Sequence, residues 1–593
     1  MKCFCWLNVL QASSSQTLVP ASGEMDLGFA VPRVQRSPAS RPAYCSRVPA
    51  HPAGPVSSHG TGALVTVLWL GARELRKLRS LPRRCSKTHR KALTDDVSQA
   101  IDEVGNTFED ALLHAVRLPA WLSGQSGTSD ASAEERRTRV VVLGTGWAAH
   151  AITKIVDVSK VDVTVVSPRN YFIFTPMLAA ASVGTVEYRS ILEHIRSSNP
   201  TIEYCQGTCK SVDVEAKQIS VQPMPEGSEQ DFNLPYDVLV VAVGLRPSSL
   251  GVPGVDEHCF FLKNIDDARR LRKRVTLNFE AADLPGKSDE ERRRLLTFTV
   301  VGGGPTGCEF CGELSDFVRN DLRRFYPKLA PLVRIILIHR GKTLLPDFGE
   351  SLQQAAREFL ETQGIEVVLE TTVDEVGKQQ VLIADKNQGS DQKALPCGLV
   401  VWAAGQIGQE LVRDLHKAIP RQEELAASEA RGNDSQLFVD SWLRVCGAPS
   451  GSILALGDCA RPVGEARFPN TAQVAAQQGA FVARLLNRQY DLAQPHPVLK
   501  EGSAFMPMAQ LRGQTEAVPF RFLDLGRLAY LGQSQAVAEL GVGETTVSQS
   551  KGLAAFVLWR SVYIVKQVSF RNRVLVLFDW IKSRIFGRDL TRI

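Results

Sequence analysis

The chain has 593 residues, of which 44% are hydrophobic, enough to bury the cores of two or three domains and to set aside a fibrous or wholly disordered protein. Its net charge of +6 is unevenly placed: residues 1–94 hold 14 Lys and Arg against Glu24, Asp26 and Glu74, leaving 55 basic and 60 acidic side chains, a net of −5, from residue 95 onward. The body of the chain is acidic, which excludes a nucleic-acid-binding role.

Residues 1–94 are rich in Arg, Ser, Ala and Pro and nearly free of acids, the composition of an organelle transit peptide. An untargeted low-complexity tail would have the same composition. The apolar run over residues 63–70 is shorter than the ~20 residues a spanning helix needs, and it lies too far inside the chain for a secretory signal. Within 95–137, a short helix is predicted over 96–118 (Val97, Ile101, Val104, Phe108, Leu112, Leu113), followed by a Ser- and Gly-rich linker over 123–133.

An apolar strand over 140–143 then meets Gly144-Thr145-Gly146-Trp147-Ala148-Ala149, with a helix predicted over 147–156. In such a loop the first Gly allows the tight turn and the second lets the backbone approach a pyrophosphate. The third position, here Ala149, must be small so that helix and strand pack closely. Phosphates settle at the helix N-terminus, where free N–H groups and the dipole favour negative charge. A strand over 161–166 ends at Ser167, and the run from Asp237 to Val243 reads as a buried parallel strand closed by a Gly244 turn.

A second fingerprint, Gly302-Gly303-Gly304-Pro305-Thr306-Gly307, follows a strand over 298–301 and opens a helix through Val318. A strand over 334–338 and an apolar run ending at Ala404-Gly405 complete this unit. Residues 453–456, the pair Gly457-Asp458 and a helix over 471–487 return the chain to the first unit. One such loop arises by chance; two, each between strand and helix, imply two dinucleotides, as in a flavin that takes a hydride from a nicotinamide.

Twelve cysteines are scattered without zinc-ribbon or zinc-finger spacing, and no EF-hand loop is present, so no metal is expected. Cys308-Glu309-Phe310-Cys311 is a C-x-x-C inside the second loop's helix, and both cysteines read as small core residues rather than a redox pair. From residue 551 to 593, nine basic side chains face only Asp579 and Asp589. Val574, Leu577, Phe578, Ile581 and Ile585 recur at helical spacing with Lys582, Arg584 and Arg588 between them. Upstream, Phe556, Val557, Trp559 and Tyr563 form another apolar face flanked by Arg560 and Lys566. Basic amphipathic helices with aromatics read as interfacial membrane anchors too short to span; a helical pair closing a dimer would look the same.

Several stretches together resemble the alternative, type II, rotenone-insensitive NAD(P)H:quinone oxidoreductases of mitochondrial type. They are Ser167-Pro168-Arg169-Asn170-Tyr171-Phe172-Ile173-Phe174-Thr175-Pro176-Met177-Leu178, the loop from Val301 to Phe310, Leu456-Gly457-Asp458-Cys459-Ala460, the run from Thr471 to Gly479, and the ending from Trp559 to Asp589. The resemblance runs from about Arg139 to the last residue. It implies an α/β fold of two Rossmann-type domains plus C-terminal amphipathic membrane-binding helices. The expected boundaries are 138–259 and 406–495 for a divided FAD-binding domain, 260–405 for an inserted NAD(P)H-binding domain, and 496–593 for a membrane-anchoring region. The implied activity is oxidation of NADH or NADPH through non-covalent FAD, with reduction of a membrane quinone (ubiquinone or plastoquinone) and no proton pumping. The implied location is peripheral on the mitochondrial inner membrane, the chloroplast thylakoid being the alternative, and a homodimer stays open.

By the same resemblance, Gly144, Thr145, Gly146, Trp147, Ala148, Ser167, Pro168, Arg169, Thr175, Gly244, Asp458 and Ala472 would hold the flavin. Gly302, Gly304, Pro305, Thr306, Gly307, His339, Arg340, Ala404 and Gly405 would hold the nicotinamide nucleotide. Asp458 could equally be a helix N-cap. Glu309 would face the nicotinamide–flavin junction. Gln473 and Gln477, one turn apart on one face, would line the quinone pocket unless they are solvated glutamines. NADH-preferring relatives place a Glu where this chain has His339, next to Arg340. NADPH is therefore expected to be accepted at least as well as NADH, and better at slightly acidic pH. A sulfide:quinone oxidoreductase using Cys205 and Cys397, or a redox-responsive flavoprotein scaffold, remains as an alternative.

Overall fold

The computed structural model describes residues 137–591, except 225–229, 386–391, 429–434, 465–466, 504 and 544, together with Gln99, Glu103 and Asn106. The expected leader over 1–94 and the linker over 123–133 lie outside the described residues. Of the expected helix over 96–118 only Gln99, Glu103 and Asn106 are described, all three helical.

Unbroken apolar runs build a seven-stranded sheet in the order Ile453–Ala455, Val238–Val241, Thr138–Leu143, Val161–Ser167, Glu203–Asp213, Gln218–Pro223, Phe232–Pro235. The first five strands are parallel and the last two antiparallel. Val142, Val165, Val240 and Leu454 are wholly buried, as a parallel sheet covered on both faces requires. A second sheet, entirely parallel, runs Cys259–Phe261, Leu399–Trp402, Thr297–Val301, Arg334–Ile338, Ile365–Val368. In sequence it lies wholly between Val241 and Ile453, so the chain leaves the first sheet, builds the second, and returns.

Each glycine loop feeds a helix, Trp147–Ile155 from the first sheet and Pro305–Phe317 from the second. Pro305 stands at the first helical turn, where its missing N–H costs nothing. The helix Ile265–Asp283 starts at a capping box in which Asn264 and Asp267 satisfy each other's backbone N–H groups. The helix Ala472–Asn487 is capped by the Thr471 hydroxyl and packs on Trp147–Ile155 so closely that a Cβ on Gly479 would collide with the Ala148 carbonyl.

The C-terminal region departs from the expectation of helices alone. After the short strand Val498–Leu499 and the helix Met506–Arg512 it forms an antiparallel sheet, Arg527–Gly532, Gln535–Val542 and Thr545–Gly552, which carries the helices Leu553–Val565 and Phe570–Phe586. None of the described helices is long and apolar enough to cross a membrane. The expected apolar face of the first of these helices divides. Phe556 and Trp559 are buried against Tyr530, with Trp559 and Tyr530 stacked at 5.2 Å, while Leu553 and Val557 point outward. Arg560, expected to flank an exposed face, lies over the rings of Phe556 and Trp580 at 4.7 and 4.5 Å. Arg588, counted from sequence among the basic surface residues, is buried and ion-paired. The second helix behaves as its spacing predicts, with Leu577, Phe578, Ile581, Ile585 and Phe586 exposed on one side and Val576 and Trp580 in the core.

Candidate functional site

The two loops solve the same steric problem. Gly144 sits at φ +110°, and a Cβ there would stand 2.6 Å from the Ala242 carbonyl oxygen; Gly302 sits at φ +122°, with the Ala403 carbonyl oxygen at 2.6 Å. Both conformations are reserved in practice for glycine. At Gly146 and Gly304, by contrast, a Cβ would meet nothing within 4 Å. Each loop thus presents bare backbone to open space at the mouth of a helix with no acid in its first turn. That is the cradle a pyrophosphate fits.

Around the first cradle, the Thr145 and Ser167 hydroxyls lie 3.3 Å apart, and Ser167 accepts a hydrogen bond from the Arg169 N–H at 3.2 Å. Trp147 Nε1 donates to Thr175 Oγ1 at 3.0 Å, joining the loop helix to the segment that follows Arg169. Asp458 lies in the turn Gly457–Cys459, and Thr471 caps the helix that follows. The Asp458 carboxylate instead stands 3.9 Å from Lys263 Nζ; burial pushes it up and Lys263 opposes that. Lys263, which the motifs did not single out, brings positive charge beside this cradle. It directly precedes the Asn264–Asp267 cap, the one local signal for its fixed position.

At the second cradle, the Gly303 N–H donates to His339 Nδ1 at 3.2 Å. His339 is thereby part of the loop's own support. A proton on Nδ1 would oppose that bond, so an acid-favoured preference for NADPH does not follow from this ring. Arg340, beside it, is exposed. Cys308 and Cys311 are both fully buried, and burial pushes both thiols up, which suits the core role expected of them. Cys205 belongs to a strand of the first sheet, whereas Cys397 precedes a strand of the second and is pushed up by burial to about 11.

Glu309 lies one turn into the second loop's helix and is 9% exposed. Its Oε1 accepts from the Tyr530 N–H at 3.3 Å. Burial pushes its carboxyl to about 8, with the Tyr530 N–H opposing and Glu313 adding to the rise. An acid held protonated at neutral pH is a proton reservoir. The Tyr563 ring, on the first C-terminal helix, lies against Phe174 at 5.9 Å and against Trp559 at 4.6 Å, linking the segment that follows Arg169 to the C-terminal aromatics.

Gln473 and Gln477 do share a face, and that face meets the C-terminal region. Gln477 Nε2 donates to the Leu523 carbonyl at 2.8 Å and its Oε1 accepts from the Leu523 N–H at 3.0 Å; Gln473 Nε2 reaches the same carbonyl at 3.1 Å. The solvated alternative fails, because both carboxamides grip backbone. Sequence reasoning missed Tyr530, Arg588 and Lys263, whose partners are all distant in the chain.

Residues 138–479 match the family model for pyridine nucleotide-disulphide oxidoreductases, and residues 525–589 match the model for the NDH2 C-terminal domain. The chain is 33% identical over 565 residues to the external alternative NAD(P)H-ubiquinone oxidoreductase B2, mitochondrial, of Arabidopsis thaliana, covering 79% of this chain and 92% of that protein. It is 35% identical to the external NADH-ubiquinone oxidoreductase 2, mitochondrial, of Saccharomyces cerevisiae, covering 77% and 82%. Among solved structures, NDH2 from Plasmodium falciparum in complex with NADH matches with a TM-score of 0.68 at 27% identity, covering 77% of this chain and all of that one.

Proposed function

The chain belongs to the type II NADH dehydrogenase family, the alternative NAD(P)H-ubiquinone oxidoreductases, and we propose that it oxidises NADH or NADPH and reduces a membrane quinone in mitochondria. The observation that carries this reading is the pair of open glycine cradles, with the buried acid Glu309 one turn into the second loop's helix and Tyr563 against Phe174 beyond the first loop. FAD in the first cradle would accept a hydride from a nicotinamide held by the second and hand the electrons to quinone. The protein aligns the partners and manages protons.

Gly144, Thr145, Gly146 and the start of Trp147–Ile155 would receive the flavin pyrophosphate, with Ser167 and Arg169 beyond it and Lys263 and Asp458 on the opposite side. Gly302, Gly304 and Gly307 would receive the nicotinamide nucleotide, with His339 supporting the loop and Arg340 at the ribose end of its strand. Reducing a quinone to a quinol consumes protons, and Glu309 holds one at neutral pH. The quinone would approach between the helix bearing Gln473 and Gln477 and the aromatics of Leu553–Val565. Exposed Leu553, Val557, Phe570, Phe578, Ile581 and Ile585 would lie in the lipid interface and bring that entrance to the quinone pool. Neither membrane docking nor a homodimer is needed for the chemistry itself.

The test is anaerobic titration of the purified yellow protein. NADH should bleach the flavin absorbance and a short-chain quinone should restore it. A protein that bleaches with sulfide and not with either nicotinamide would favour the sulfide:quinone alternative instead.

A further inference from the structure

We infer that Arg588 is a positioning residue of this site: from the end of the chain it holds Glu313 as the charged neighbour of Glu309, and so sets when Glu309 gives up its proton. The inference rests on the reading of Glu309 as the proton-holding acid at the cofactor junction.

Arg588 follows the second amphipathic helix, after a turn at Gly587 with φ +83°. Its side chain is 9% exposed and reaches into a junction with Thr185, Glu313 and Asp321. Nη1 donates to Asp321 Oδ2 at 2.7 Å, Nε donates to Thr185 Oγ1 at 2.9 Å, and Nη2 lies 3.5 Å from Glu313 Oε2. The Arg588 backbone N–H donates to Asp321 Oδ1 at 2.8 Å. The Thr185 hydroxyl, while accepting from Arg588, donates to Glu313 Oε2 at 2.5 Å. Every nitrogen of the planar fork therefore has a partner, the arrangement for which Arg rather than Lys is suited. On the far side, Arg272 Nη2 donates to the Asp589 carbonyl at 2.6 Å, which pins the tail a second time. Four charge-bearing or hydroxyl groups, on Asp321, Thr185, Glu313 and Arg272, are spent on a segment that a simple surface tail would leave in water.

Glu313 stands one helical turn beyond Glu309 on the same buried face. Burial pushes Glu313 up as well, but there Arg588 and the Thr185 hydroxyl oppose it, with Arg560 of Leu553–Val565 adding to that and Asp316 working against it. Facing Glu309 are Glu313 and Cys308 on its own helix, Tyr530 on the strand Arg527–Gly532, and Tyr563 on Leu553–Val565. The charge that Glu313 carries thus bears directly on Glu309, whereas Arg588 acts on it through Glu313. Without Arg588, only the Thr185 hydroxyl and Arg560 are left to oppose burial and Asp316 at Glu313. Its carboxyl is then pushed up further, its repulsion on Glu309 weakens, and Glu309 releases its own proton at a lower pH.

The test is the pH dependence of quinone turnover by the full chain on liposomes, for wild type, Glu309→Gln, Glu313→Gln, Arg588→Gln, Arg588→Lys and the Glu313→Gln/Arg588→Gln double variant. The alkaline midpoint of the wild type should move down by roughly one pH unit in Arg588→Gln and in Glu313→Gln, with no further movement in the double variant. Arg588→Lys, which keeps the charge, should recover most of the shift. A merely structural Arg588 would lower the amount of folded enzyme without moving that midpoint. An Arg588→Gln midpoint equal to wild type, with a displaced one in Glu313→Gln, overturns the inference and leaves the reading of Glu309 standing. Should Arg588→Gln fail to fold, equal midpoints in Glu313→Gln and wild type overturn it. An alkaline limb unaltered in Glu309→Gln overturns the reading of Glu309 itself.

Discussion

The Tyr530 N–H donates to Glu309 Oε1 across 3.3 Å, so a strand of the C-terminal sheet grips the acid that follows the second glycine loop. Burial holds that acid protonated up to about pH 8. Turnover that depends on the protonated form should be steady below this value and fall above it. Glu309→Gln cannot donate, so quinone turnover should drop roughly 10²-fold or more, while bleaching of the flavin by NADH stays within a few-fold. Stopped-flow separation of the two half-reactions checks this, and equal loss in both would contradict it. The same shift has a stability sign. The folded protein retains the proton that the unfolded chain releases above ordinary carboxylate pH, so Glu309 costs stability progressively from that range up to about pH 8. Glu309→Gln should therefore raise Tm more at pH 9 than at pH 5.

Gly146 faces open space, so a valine there would fold without collision and project branched methyls into the proposed pyrophosphate position. Gly146→Val should purify folded and colourless, with flavin affinity reduced at least about tenfold. A yellow, stoichiometrically loaded variant would move the flavin to the other loop.

Truncation before Lys551 would remove Phe556, Trp559 and Trp580 from the core and so could not isolate membrane binding. Phe578 and Ile585, each 65% exposed, provide a cleaner handle. The double substitution Phe578→Glu/Ile585→Glu should leave Tm within a few degrees while weakening association with anionic liposomes at least about tenfold, since each apolar side chain contributes ~1.5–3 kcal/mol when fully buried. Unchanged flotation with liposomes would count against this helix as the docking face.

On the proposed reading, His339→Glu adds a fixed negative charge at the end of the strand that faces the adenosine ribose. The ratio of kcat/KM for NADPH to that for NADH should fall by roughly tenfold or more. A ratio insensitive to this change would show that the end of the Arg334–Ile338 strand does not select the nucleotide.

Much of this architecture was legible because its signals are local. Val140 to Ala149 and Phe298 to Gly307 each compress strand, turn and helix start into a short run, and the alternation of such runs carries the two-sheet topology. The C-terminal sheet was hidden for an equally local reason. Its first hairpin turns through Gln533 and Ser534, both at positive φ (48° and 59°), where Asn or Gly would have announced the turn. Helical spacing placed Phe556, Val557, Trp559 and Tyr563 on one apolar face, yet it carries no information on which side of a helix meets Tyr530, and the structure turns Val557 outward while burying Phe556 and Trp559. Arg588 looked like its basic neighbours because its partners Thr185, Glu313 and Asp321 are hundreds of residues away. Gln473 and Gln477 were found for their shared face, whereas their grip on Leu523 depends on a segment with no motif at all.

The contact between Gly479 and the Ala148 carbonyl also dictates an order of assembly. Val238–Val241 finds its outer neighbour only when Ile453–Ala455 emerges, and the helix Trp147–Ile155 is covered only when Gly479 follows. During synthesis the inserted sheet, whose strands lie between residues 259 and 402, can close on itself first. Meanwhile the earlier strands wait with an apolar edge open to pairing with any other chain. The nascent chain is thus at its most aggregation-prone just before its last quarter is made, and a chaperone would be needed most over that interval.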